Sequence, residues 1–397
     1  MTTTSAIYWD PFDEEIDTSP HDVWRRMREE MPLYRNDKYD FWALSRHADV
    51  HAAHVDPQTY LSGYGTVLEL MGNDMSSTGQ MIFMDGAQHN KMRLLVSKAF
   101  TRSRVGALED RIRQISRNLL DAQAYGGGFD YVGDFGAQLP SLVISSLLGV
   151  SPADRPHVLE LINTTFHIEP GVGMMNDVSF AAQIGMHTYL TEQLADRRRA
   201  PQDDMITALT EAELTEDGRA RRLTDKEAAD FATLLISAGT ETVAKLLGWA
   251  AVILAEHPDQ RAEMAADPEL IPAAVEELLR YEAPSPVQGR TLSRPVELHG
   301  ETLDIGSKIL LLTGAAGRDD RVWERPDEFD IKRKPEQHVS FGIGAHFCLG
   351  AALARMEGRI ALEETLAHFP AWQVDYANAV RLHTSTVRGY KSVPILV

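Results

Sequence analysis

Cys348 is the only cysteine in this chain of 397 residues, and it stands in the stretch FGIGAHFCLG, Phe341 to Gly350, where three of ten positions are glycine. A free thiol admits three readings. It is a small buried hydrophobe, a nucleophile that needs a base and an orienting group beside it, or a thiolate that ligates a metal. Gly342, Gly344 and Gly350 permit backbone conformations closed to other residues, so amide N–H groups can approach the sulfur. Leu349, Leu353, Met356 and Ile360, spaced four, three and four apart, begin an amphipathic helix directly after the cysteine, and a helix N-terminus stabilises an anion. The surroundings suit a thiolate.

Three other sets of residues carry chemistry by type and spacing. In SAGTETV, Gly239 lets a helix loosen locally, while Glu241 and Thr242 offer an acid and a hydroxyl that can pass protons. The alternative is a glycine packing contact beside a surface acid. In EELLR, Glu277 and Arg280 stand three apart on a helix whose apolar face includes Ile271, Val275 and Leu278, a spacing common to many helices. In HNKMR, His89 and Arg93 stand four apart and can both reach one anion.

These groups need a scaffold, and most of the chain has helical period. Val23, Met27 and Met31 recur every four residues after Pro20, and Ser151 with Pro152 reads as a helix start. The longest pattern runs from Thr224 to about His257. Thr224 and Glu227 make a capping box, Pro258 supplies the stop, and the segment from Phe231 to Ala255 is apolar almost all round. That predicts a buried central helix lining any interior site. Strand signals cluster in DFWALS from Asp40 and in the run from Val296, punctuated by Gly300 and Gly306, which read as a small sheet. LTEDGRARR reads as an exposed loop. The fold class expected is mainly α (α+β), a single domain over 1–397 with a small β-rich region.

Composition excludes several classes. With 39 Lys and Arg against 58 Asp and Glu, the net charge is −19, which repels nucleic acid and anionic lipid. One cysteine forms neither an intramolecular disulfide nor a multi-cysteine zinc site, which points to a reducing, cytoplasmic setting. The first residues lack a secretory pattern, and no uninterrupted apolar run reaches the ~18 residues of a membrane span.

Phe-Gly-x-Gly-x-His-x-Cys-x-Gly over Phe341 to Gly350 resembles the haem-binding signature of the cytochrome P-450 family, and Ala238 to Thr242 resembles its oxygen-activation motif. The thiolate's electronic push toward O–O cleavage belongs to that family's chemistry. The resemblance implies a P-450 fold with the long helix over haem b, Cys348 as the iron's axial ligand, and Phe341 shielding the sulfur. It further implies Gly342 and Ala238 at the haem, and Gly239, Glu241 and Thr242 as the oxygen and proton machinery. His89, Arg93, Arg290 and His346 become propionate partners. Glu277 and Arg280 become an architectural Glu-x-x-Arg completed by Arg325 or Arg333. The loop Asp85-Gly-Ala-Gln departs from relatives, which often carry prolines there, and leaves the rigidity of that helix start open.

The function so implied is a haem-thiolate monooxygenase that hydroxylates or epoxidises a hydrophobic small molecule with O2. The chain contains no flavin or nicotinamide fingerprint and no iron–sulfur cysteine set, so NAD(P)H electrons are expected through ferredoxin and ferredoxin reductase. Arg355 and Arg359 with Lys332, Arg333 and Lys334 are the basic cluster expected to steer the acidic ferredoxin. A monomer is expected. The alternatives are a peroxide-driven peroxygenase and a non-catalytic haem sensor. By resemblance the substrate pocket draws on Gly63 to Met84, Phe166 to Met175, Leu234, Leu235, Ser237, Val287 and Val387. The methionines of the first segment suggest an adaptable wall, and its glycines and small polar residues a mobile entrance, for a lipid-, terpenoid- or polyketide-like molecule.

Overall fold

Thr224 begins the longest helix as its sequence requires. Its hydroxyl accepts from the Glu227 N–H at 3.2 Å, and the Glu227 carboxylate accepts from the Thr224 N–H at 2.9 Å. Arg221 adds two bonds of 2.8 Å to Glu227, and with them holds its carboxyl down at about 2. A cap of this kind contributes about 1 kcal/mol. The helix spans Asp225–Glu256 in the computed structural model, which describes residues 6–97, 100–166, 169, 173, 176–216 and 219–397.

The chain divides into two compact units. The first takes Met1–Met75, Ala273–Cys348 and Arg381–Gly389. Its five-stranded sheet has the order Leu33–Asn36, Phe41–Leu44, Lys308–Leu311, Gln288–Leu292, Tyr60–Leu61. Ile309 pairs with Trp42 in parallel and with Arg290 antiparallel, which fixes Arg290 on an inner strand. Val296–Leu298 and Glu301–Leu303 form a separate hairpin turned by His299 and Gly300, both at positive φ. The strands expected from Asp40 and Val296 are thus present.

The second unit takes Ser76–Pro272, Leu349–Val380 and Tyr390–Val397, and it is mostly helical. The central helix packs against Gln138–Leu148, Asp177–Arg199, Ala351–His368 and the π-helical turn Tyr131–Gly136. Every residue from Val243 to Leu254 is buried. By length and composition this helix could cross a membrane, but 72% of its most apolar window is buried inside the protein, as in a core helix.

Three local expectations are corrected. The helix expected from Ser151 starts at Arg155, because the Ser151 hydroxyl bonds Asp154 (2.8 Å to the carboxylate, 3.2 Å from the N–H) and closes a turn first. The exposed loop is a hairpin, Glu213–Glu216 with Arg219–Arg222. Of Val23, Met27 and Met31 only Met27 is buried, and Trp24 takes the inward face instead. Met71, Met81 and Met84 are buried.

Candidate active site

In the first unit, the loop before Cys348 is shaped by two glycines in the left-handed region, Gly342 at φ 67° and Gly344 at φ 73°. Gly350 does not share this role. Its φ is −85°, and it is the residue before the helix Ala351–His368. The Cys348 N–H donates to the Phe341 carbonyl at 2.8 Å, folding Phe341 back over the cysteine segment. Cys348 itself is half-buried. The Phe341 ring lies 6.3 Å from that of Phe347 and 5.8 Å from that of His338. The His346 Nε2 comes within 3.5 Å of the Ser62 hydroxyl.

His54, which the sequence did not single out, lies against this loop. Its carbonyl would meet a Cβ on Gly344 at 3.0 Å, and its ring carbon Cε1 one on Gly342 at 3.6 Å. Buried to 3% exposure, it has no hydrogen-bond partner at either ring nitrogen among the described residues. Burial, then the Arg290 charge, pulls it down to about 3, so it is neutral at pH 7. A buried polar ring left unpartnered beside an arginine fits an anionic group brought by a ligand.

The Glu277–Arg280 pair is fully buried and bidentate, with both bonds at 2.7 Å. The structure chooses between the two arginine candidates. Arg333 Nε donates to Glu277 Oε1 at 3.0 Å, whereas Arg325 pairs with Glu328 at 2.7 Å. Arg280 also donates to the carbonyls of Gly317 and Pro326, both at 2.8 Å. Val287 is packed in a hydrophobic cluster with Trp24, Leu68 and Met71, and the N–H of half-buried Val387 is held by the Thr384 hydroxyl at 2.8 Å.

In the second unit, the central helix opens along one stretch. Leu234, Leu235, Ser237, Gly239, Glu241 and Thr242 are half-buried and Ala238 is exposed, in a helix otherwise largely buried. The helix does not break at Gly239. The hydroxyls of Thr240 and Thr242 donate to the carbonyls of Ile236 and Ala238 at 2.9 and 3.0 Å, adding bonds to carbonyls one turn back while the helix stays continuous. Glu241 is no surface acid. It pairs with Lys245 at 2.9 Å, against a lysine side chain that is itself buried. No hydrogen bond joins Glu241 to Thr242 among the described residues.

His89 and Arg93 share the helix Gly86–Ser97, which starts at Gly86 itself, φ 53°. His89 is buried, and burial lowers its pKa. Most of Phe166 to Met175 lies outside the described residues. Phe166 is partly buried against the helical core.

The basic cluster expected around Arg355 is smaller than its sequence suggests. Arg359 is bound to Glu109 and Glu363, each at 2.8 Å, inside a network where Arg113 reaches Glu363 (2.6 Å) and Glu364 (2.7 Å) and Arg117 reaches Glu364 (2.9 Å). Arg333 is spent on Glu277. Reasoning from sequence also missed Lys245 and Glu357. Lys245 was visible as the residue four after Glu241. Glu357 is 2% exposed, its Oε2 has no partner among the described residues, and burial pushes its carboxyl up to about 8. Its only signal was an acid within an apolar helical run.

A family model described as cytochrome P-450 matches residues 172–375. The chain is 41% identical over 391 residues to the protein named cytochrome P-450 123 of Mycobacterium tuberculosis, covering 98% of this chain and 96% of that one. It is 38% identical over 379 residues to the erythromycin C-12 hydroxylase of Saccharopolyspora erythraea, covering 93% and 92%. Among solved structures it is similar to the cytochrome P-450 PksS of the Bacillus subtilis bacillaene polyketide synthase, with TM-score 0.89, 32% identity, and 98% and 99% of the two chains covered.

Proposed function

This chain belongs to the cytochrome P-450 family and is a cytochrome P-450 monooxygenase, and from that premise we propose that it hydroxylates or epoxidises a polyketide- or terpenoid-like molecule with electrons from a ferredoxin. The haem, when bound, activates O2 so that one oxygen atom enters a C–H or C=C bond and the other leaves as water.

In this reading the Cys348 thiolate would hold the haem iron and Phe341 would keep water from the sulfur. His89, Arg93, Arg290 and His346 would bind the propionates, and neutral His54 would add a hydrogen bond to an anionic edge. Guanidinium suits a carboxylate through paired bonds. Thr242 and Glu241 deliver protons beside Gly239. The observation that carries the proposal is the open stretch Leu234–Thr242 on an otherwise buried helix, which sets an exposed apolar residue, Ala238, beside a hydroxyl and a carboxylate. Leu234, Leu235, Ser237 and Val387 would then face substrate.

The substrate class draws support from the names of the relatives, an erythromycin hydroxylase and a bacillaene synthase enzyme. It also agrees with the absence of Lys and Arg from Leu234 to Thr242, which leaves no clamp for a small acid on that stretch. The whole chain acts as one domain, a monomer in the cytoplasm, with NAD(P)H consumed by the ferredoxin reductase.

Titration of the ferric protein with macrolides, terpenoids, fatty acids and small aromatics, read at the Soret band, tests the reading. A saturable low-to-high-spin shift with macrolides or terpenoids is expected, followed by product with ferredoxin, reductase and NADPH. A shift only with small aromatic acids overturns the substrate class. Thr242→Ala should uncouple NADPH consumption from product, and fully coupled turnover would overturn its role.

A further inference from the structure

Lys245 is an unusual residue for the middle of a buried helix. Its side chain is 5% exposed, its ion partner is Glu241 at 2.9 Å, and its ammonium also donates to the Tyr390 carbonyl at 2.9 Å. Two of its three N–H donors are therefore committed. The carbonyl end is held firmly. The Trp249 ring meets that of Tyr390 edge-on at 5.1 Å, and Gly248 lies at ordinary packing distance from the same residue. Lys245 cannot follow Glu241 if the carboxylate moves.

Glu241 and Thr242 are adjacent in sequence but ~100° apart around the helix. Each is occupied by a different partner, Glu241 by Lys245 and the Thr242 hydroxyl by the Ala238 carbonyl. An acid that is to hand a proton to the neighbouring hydroxyl must first leave its ammonium partner.

We propose that Lys245 is a positioning residue that parks the Glu241 carboxylate away from Thr242, so that proton delivery requires Glu241 to swing off an ammonium fixed to the Tyr390 carbonyl. This rests on the reading of Glu241 and Thr242 as the proton route. Hydroxylation of one C–H bond with O2, two electrons and two protons gives one C–OH and one water. In each hand-off Glu241, once off Lys245, takes a proton from solvent onto a carboxyl oxygen and passes it to the Thr242 oxygen as the Thr242 proton moves on. The carboxylate so regenerated returns to Lys245. The parked state keeps protons from arriving early, when they would release hydrogen peroxide.

The test compares wild type, Lys245→Met, Lys245→Arg and Thr242→Ala as haem-loaded enzymes with ferredoxin, reductase and NADPH, alongside crystal structures of wild type and Lys245→Met. Lys245→Met is expected to show the Glu241 carboxylate turned toward Thr242, to raise peroxide released per NADPH at least threefold, and to lower the solvent isotope effect on turnover. Lys245→Arg should restore all three toward wild type. A merely structural lysine would change stability without moving the isotope effect. An unmoved Glu241 with unchanged peroxide and isotope effect overturns the proposal. If Thr242→Ala uncouples while Lys245→Met does not, Lys245 alone is misassigned; if Thr242→Ala leaves coupling intact, the proton route itself falls. Should Lys245→Met fail to fold, Lys245→Gln, which keeps a donor for the Tyr390 carbonyl, answers the same question.

Discussion

Glu357→Gln should change the pH dependence of stability in a direction fixed by its surroundings. Glu357 is buried, burial alone raises its carboxyl from 4.5 to about 8, and its Oε2 has no partner among the described residues. The folded chain therefore holds a proton there that the unfolded chain releases above pH 4.5. Stability falls as pH rises from 4.5 to 8, by about 1.4 kcal/mol per unit in mid-range, and the loss is complete above 8. At pH 7 the cost is about 3 kcal/mol, and between pH 5 and pH 8 it grows by roughly 3 to 4 kcal/mol. Glutamine has nearly the same shape and does not titrate. Its amide adds an unmet donor costing about 1–3 kcal/mol at every pH. Denaturant unfolding of the haem-loaded proteins at pH 5, 6, 7 and 8 should show the variant no more stable than wild type at pH 5 and gaining on it at each step. Parallel profiles would refute the reasoning, because they would mean that Glu357 is ionised or satisfied in the folded state.

Arg333→Ala leaves Glu277 short of a partner in a fully buried network and should cost about 3–5 kcal/mol of stability, while Arg325→Ala, on the exposed Glu328 pair, should cost less than about 1; equal unfolding midpoints would contradict the choice between them. Gly344→Ala must hold an L-residue at φ 73° with a Cβ 3.0 Å from the His54 carbonyl, so it should lose about 2 kcal/mol and retain less haem, measured as absorbance ratio after purification. Arg355→Glu should slow reduction by ferredoxin. Arg359→Glu should instead lower the melting temperature, since it sets a third carboxylate against Glu109 and Glu363; reduction slowed by Arg359→Glu at an unchanged melting temperature would restore it to the docking surface.

Features that depend on local chemistry were legible before the structure. The capping box at Thr224, the stop at Pro258, the left-handed glycines at 300 and 306 and the strand after Asp40 each follow from a few neighbouring residues. The cysteine loop was legible for a similar reason, although Gly350 shows that a glycine in a motif is not always there for its φ. What stayed hidden depends on partners distant in sequence. Arg333 and Arg325 are equivalent on paper, and only the fold brings Arg333 to Glu277, 56 positions away. Arg359 read as free because Glu109 lies on another helix, although Glu363, four residues on in its own helix, was in view. His54 had no signal at all, since an imidazole's lack of partners is a property of the packed interior.

The interleaving of the chain bears on how the protein is made. Each unit is built from three separate stretches, and residues 381–397 complete both, with Arg381–Gly389 going to the first and Tyr390–Val397 to the second. In the second, Pro394–Leu396 is the middle strand between Gly128–Asp130 and Gln373–Val374, so those strands have no common neighbour until it arrives. Neither unit can close while residues 381–397 are still inside the ribosome. Helices can form early, but the long-range pairings wait, and the apolar faces of the nascent chain stay open until translation has passed Val397. Yield from expression should therefore depend on chaperone supply more strongly than for a protein whose domains are contiguous in sequence.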